Sequence, residues 1–156
     1  MNPNPTKTMK PNPETTVAEV TILWSETTLD VAQLGRSSGE QTSFSIGEDP
    51  SCDSWIGLDH LTGRSRMTLV TLDGDQPVAH VPANAGISLI RPTVTMSDPC
   101  QLQRLGLATQ NGSGDLRIPL EEGWVAEIEV GELTYRVRRT TPDVLERAAT
   151  PVDWNS

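Results

Sequence analysis

At 156 residues the chain has room for one domain with a hydrophobic core and too little for two of ordinary size. Twelve basic against twenty-one acidic side chains give a formal charge of −9, which repels nucleic acid and anionic membrane surfaces unless the basic residues cluster. The one dense basic group, Arg136, Arg138 and Arg139, falls at the end of an expected strand and reads as a solvated edge, so no nucleic-acid partner is expected.

Met1 to Thr16 holds four of the twelve prolines and almost no apolar residues, a composition that cannot offset the entropy of ordering, so residues 1–16 are expected to form a disordered tail. The folded unit is expected over 17–139. In Val17 to Trp24, Ala18, Val20, Ile22 and Trp24 share one face and Glu19 and Thr21 the other, the period of a half-buried strand. Ser25-Glu26 breaks the run. Thr28 to Leu34 follows, with Leu29 and Val31 alternating with Thr28 and Asp30, and completes an expected hairpin.

Thr42 to Ile46 is the next expected strand, closed by the turn sequence Gly47-Glu48-Asp49-Pro50, and Ser54 to Leu58 a short one. Met67 to Leu72 and Pro77 to Val81 flank Asp73-Gly74-Asp75 as a second hairpin. Ile87 to Ile90 and Gln101 to Leu107 are read as strands on weaker patterns. The clearest pair comes last: Ala126, Ile128 and Val130 alternate with Glu127 and Glu129, Gly131-Glu132 turns, and Leu133, Tyr135 and Val137 alternate with Thr134, Arg136 and Arg138. Many short strands with Gly, Asp and Pro turns predict an all-β fold, a single antiparallel β-sandwich. Residues 140–156 read as a C-terminal tail in which Thr141-Pro142-Asp143 starts a short helix over Val144 to Ala149.

The segment Phe44-Ser45-Ile46-Gly47-Glu48-Asp49-Pro50-Ser51-Cys52-Asp53 resembles the start of a forkhead-associated (FHA) domain, where a strand ending Ile-Gly-Arg enters an Asp-Pro-x-Cys-Asp type of loop. Leu120 to Gly131 followed by Leu133 to Val137 resembles that family's closing hairpin, and the first two strands fit its opening hairpin. The resemblance implies a phosphothreonine-reading fold, and the residues depart from it. Glu48 stands where the family carries the Arg that reaches the phosphate, and a carboxylate there repels one. In Gly63-Arg64-Ser65-Arg66-Met67, Met67 falls at the position read as the family's His, although Arg64, Ser65 and Arg66 still offer donors for an anion. Asn111-Gly112 resembles the family's peptide-binding Asn-Gly, displaced further along the chain, and reads equally as a tight turn. The resemblance thus implies an FHA-like sandwich with a degenerate phosphothreonine site, in a regulatory or scaffold complex of the bacterial kind, with Arg64, Ser65, Arg66, Asn111 and Gly112 as the partner-binding residues and a protein partner, phosphorylated or not.

Catalytic constellations are missing from the sequence. There is no Gly-x-Ser-x-Gly elbow, phosphate loop or Gly-x-Gly-x-x-Gly fingerprint, and His60 and His80 are the only histidines, so no cofactor and no metal are expected. His80 reads as a structural histidine in a strand and His60 as a loop residue without a neighbouring nucleophile. Cys52 and Cys100 are expected as free thiols. Trp24 and Trp124 are expected in the core, and Trp154 in the tail is a candidate anchor for a partner groove. No apolar run approaches the roughly 20 residues of a membrane span and no signal-like apolar segment opens the chain, so a cytoplasmic location without membrane insertion is expected. The leading reading is a non-catalytic interaction module; a structural subunit of a homo-oligomer and an unrecognised hydrolase are the alternatives.

Overall fold

A computed structural model of the chain describes residues 16–35 and 41–140, so all but the last residue of the tail expected at 1–16, the helix expected at 144–149 and Trp154 lie outside the described residues. Twelve strands form two six-stranded sheets. The first runs in the order β2 (Thr27–Gly35), β1 (Thr16–Trp24), β12 (Leu133–Arg139), β11 (Val125–Val130), β7 (Gly86–Ile90), β8 (Thr95–Met96). The second runs β4 (Ser54–Trp55), β3 (Ser43–Gly47), β5 (Arg66–Asp73), β6 (Gln76–Val81), β10 (Leu116–Pro119), β9 (Thr109–Gln110). Val20, Ile128 and Tyr135 from the first sheet and Ile46, Leu69 and Ile118 from the second share one buried cluster, so the fold is an all-β sandwich with its core between the sheets. Neighbouring strands are antiparallel except β3 and β4, whose parallel pairing makes the second sheet mixed.

The alternating patterns place the strands well. In β1, Ala18, Val20 and Ile22 face the core as expected, and β11 and β12 form the hairpin expected from Gly131-Glu132. Three expectations fail. Trp24 shares the parity of the buried residues but sits at the last position of β1, beyond the covering sheet, and is 53% exposed. In β2 the opposite sheet covers only the far end: Leu34 and Gly35 are buried, while Leu29 and Val31 stay exposed. Residues 101–107 are not a strand; Pro99–Arg104 forms a short helix, α1, with Leu102 buried beneath it. Asp98 caps it, its carboxylate accepting from the Cys100 N–H at 3.0 Å, and Pro99 fills the first turn, where a missing N–H costs nothing. The ends of β1 and β12 are tied where Thr140 donates its N–H to Val17 O and its hydroxyl to Thr16 O, so β1 takes in Thr16, one residue inside the segment read as a tail.

Tyr135 is the largest fully buried side chain. Its ring meets Phe44 edge-on at 6.0 Å, and its hydroxyl shares a 2.7 Å hydrogen bond with Ser54, linking the two sheets. Burial pushes the phenol up from 10.0 to about 12, against the opposing pull of the Ser54 bond. The fold therefore favours the neutral phenol: its contribution is full below pH 10.0 and is lost as pH rises to about 12. Urea denaturation should show stability falling across that window. Tyr135→Phe should remove this part of the fall while lowering neutral-pH stability by about 1 kcal/mol. Because Tyr135 is the only tyrosine, the phenolate absorbance reads it alone. Titration with the midpoint of a free phenol would contradict the assignment.

Candidate functional site

Of the residues read from the sequence as partner-binding, Arg64 and Asn111 are brought together at Asp115, and Arg66 is bonded to Ser45 and Ser51. Arg64 donates to both Asp115 oxygens, at 2.8 and 3.0 Å, and through Nε to Leu61 O at 2.9 Å, so its guanidinium holds the fold together. Asp115 is buried and also donates its own N–H to the Asn111 side chain. Asn111 accepts from the Ser113 and Asp115 amides, which makes Asn111-Gly112 the tight turn between β9 and β10. Arg64 and Asn111 thus meet at Asp115 and spend their polar groups on it.

Ser65 and Arg66 have partners on the β3–β4 side. The Ser65 carbonyl accepts from the Asp49 N–H at 3.0 Å, and β3 passes so close that a β-carbon at Gly47 would collide with that carbonyl; with φ at 146°, only glycine suits the position. Arg66 donates to the hydroxyls of Ser51 and, at 3.1 Å, Ser45. Asp49 lies beside it, accepting from the Ser51 N–H at 2.8 Å and the Ser51 hydroxyl at 2.7 Å. The Ser51 amide first, then its hydroxyl, with the Arg66 guanidinium adding to both, hold the Asp49 carboxyl below the usual carboxylate range. The Ser51 hydroxyl thus already serves an internal anion, with the Arg66 guanidinium close enough to act on it by charge. A count of Ser-x-x-His from Ser65 ends on Thr68 and not on the buried Met67, so neither residue supplies an imidazole. Asn84, which sequence reasoning passed over, stands exposed in the turn between β6 and β7.

Glu48 has a different task from the one its position suggested. Its carboxylate accepts from the Leu58 N–H at 3.0 Å, at the start of a 3-10 turn over Leu58–Leu61. An acid suits that place, since the first N–H groups of such a turn lack partners within it. The bond orients the loop carrying Trp55, Gly57, Asp59 and His60. These residues form one wall of an open cleft of about 330 Å³, and Trp24, Glu132 and Leu133 form the opposite wall. Trp55 is 68% exposed. Trp24 leans on Glu132 through a long 3.4 Å hydrogen bond from Nε1. The His60 ring crosses the β11–β12 turn at Gly131, where a β-carbon would stand 3.0 Å from Nε2.

Elsewhere, both cysteines are free thiols, and burial raises the Cys52 thiol, which lowers its reactivity. His80 is half-buried on β6, hydrogen-bonded to Thr71 at 2.9 Å, with burial foremost and then Arg117 lowering its pKa. Among the described residues no helix is long and apolar enough to cross a membrane, and no three His, Cys, Asp or Glu side chains gather as a metal site. Trp55 was missed in the sequence because its strand pattern gives it no special place; the signal was its position next to Ile56 at the end of β4, where successive side chains point to opposite faces and Ile56 takes the buried one. No protein-family model, curated protein or solved structure matches the chain. Asp115→Ala should lower stability to urea by about 2 kcal/mol, the cost of stripping a charged hydrogen-bonding partner from Arg64. A loss within experimental error would show that Arg64 is not structural.

Proposed function

We propose that the chain is a non-catalytic protein-interaction module with an FHA-like sandwich and a degenerate phosphothreonine site, serving a regulatory or scaffold complex. Its recognition surface is the cleft between Trp24 and Trp55. The observation that carries this reading is the exposure of two tryptophans across one cleft, because large aromatic side chains facing water are costly to keep and supply most of the energy where proteins meet. The FHA-like part rests on motif order: Ile46-Gly47 closes β3, the Asp49 to Asp53 loop follows, and β11 and β12 close the fold as a hairpin. The degenerate part rests on Glu48 and Asp49, two carboxylates where an anion would approach.

The hydrolase alternative finds little support, since the cleft that holds His60 is lined by no Ser, Thr or Cys that it could activate. A homo-oligomer through the edge strand β2 is favoured by exposed Leu29 and Val31. Two features oppose edge pairing: a register shift near Leu29 kinks the strand, and the Asp30 carboxylate accepts from the Val31 N–H at 2.8 Å. A fluorescence-polarisation screen with matched threonine and phosphothreonine peptide libraries tests the proposal. Some peptides should bind irrespective of the phosphate, and Trp55→Ala should abolish that binding. Phosphate-dependent binding lost on Arg66→Ala, or no binding by any peptide, would overturn it.

A further inference from the structure

We infer that the tryptophan cleft takes a cationic side chain, a lysine or arginine presented by a partner's peptide segment; the inference rests on the cleft being the recognition surface. Its lining holds two carboxylates, Asp59 and Glu132, beside the N–H groups of Trp24, Trp55 and the His60 imidazole. Asp59 folds back so that its Oδ1 lies 2.8 Å from where a β-carbon of Gly57 would be, and Glu48 Oε2 lies 3.7 Å from the same point. Glu132 contributes the second lining carboxylate, taking only the long bond from Trp24, while Glu48 lies behind the lining with its Oε2 already accepting from the Leu58 N–H. Among the described residues neither Asp59 nor Glu132 joins an ion pair, and no lysine or arginine lines the cleft.

Two carboxylates without an ion-pair partner repel an anionic ligand such as a phosphate or a carboxylate, whereas an ammonium or guanidinium brings both donors and the opposite charge. A neutral sugar would stack on the tryptophans and meet the Trp55 and His60 N–H groups, but leaves the charge of Asp59 and Glu132 uncompensated. Tryptophan is the best of the aromatic faces for a cation, and the formal charge of −9 raises the local concentration of cationic segments. The cleft's apolar residues, Ile56 and Leu133, suit the aliphatic stem that lysine and arginine carry below the charge.

The test uses the full chain and hexapeptide libraries with lysine, arginine, norleucine or glutamate fixed at the centre, alongside cellohexaose, all read by calorimetry. The lysine and arginine libraries should bind about tenfold tighter than norleucine, the range expected of a cation over tryptophan beside carboxylates. The advantage should shrink with added salt. Asp59→Asn with Glu132→Gln should reduce it to less than about threefold, and Trp55→Ala should remove binding of every library. All three substituted residues are exposed, so the fold is not at stake. Equal binding of lysine and norleucine libraries, still lost in Trp55→Ala, would overturn the charge preference and leave the interaction module standing. Trp55-dependent binding of cellohexaose without peptide binding, or no binding of any probe, would overturn both.

Discussion

The ladder between β1 and β12 is the constraint on which the rest of the structure depends. It pairs residues from opposite ends of the folded unit, from Ala18 with Arg139 to Trp24 with Leu133, and Thr140 seals its far end against Thr16 and Val17. Because strand pairing fixes register residue by residue, this one ladder also decides what stands beside what at the open end of the sandwich. Trp24, the last residue of β1, comes to rest beside Leu133 and Glu132 at the β11–β12 turn. One wall of the cleft is therefore a by-product of closing the fold.

The opposite wall depends on a local interaction. The chain leaves β4 after two residues, and the Glu48 carboxylate catches the Leu58 amide as the 3-10 turn begins. The same acid that makes the position hostile to phosphate thus organises the loop that carries Trp55 and His60. Arg64 and Asp115 anchor the far end of this loop to the β9–β10 turn, so it is held at both ends. Beside it, Ser51 donates to Asp49 and the Arg66 guanidinium is held by the hydroxyls of Ser51 and Ser45.

Much of the sandwich is legible in the sequence. The period-two pattern of Ala126 to Val137 survives because those strands bury one face, that of Val17 to Trp24 holds at Ala18, Val20 and Ile22 while Val17 and Leu23 are buried as well, and the Gly131-Glu132 and Asp73-Gly74-Asp75 turns fix the hairpin partners. Patterns shorter than a strand's full period were not legible: β8, β9 and β10 are too short to declare a face, and residues 101–107 read as a strand because the six-residue helix at 99–104 cannot show a helical period. The Asp98-Pro99 start signal was present and was the better guide. The site was less legible than the fold. Alternation says which way Trp24 points but not where the opposing sheet ends, and nothing local to Trp55 says that it lines one cleft with a tryptophan 31 positions earlier in the chain. Arg64 looked available because its partner, Asp115, lies 51 residues away.

The central claim is that Trp24 and Trp55 wall an accessible, negatively charged cleft. It is tested most directly by collisional quenching in a chain with Trp124→Phe and Trp154→Phe, so that only these two tryptophans fluoresce. Caesium should quench them more strongly than iodide, relative to N-acetyltryptophanamide under the same salt, because the lining carboxylates attract the cation and repel the anion. Asp59→Asn with Glu132→Gln should abolish that preference. Iodide quenching equal to or stronger than caesium quenching, or fluorescence that neither ion reaches, would contradict the account.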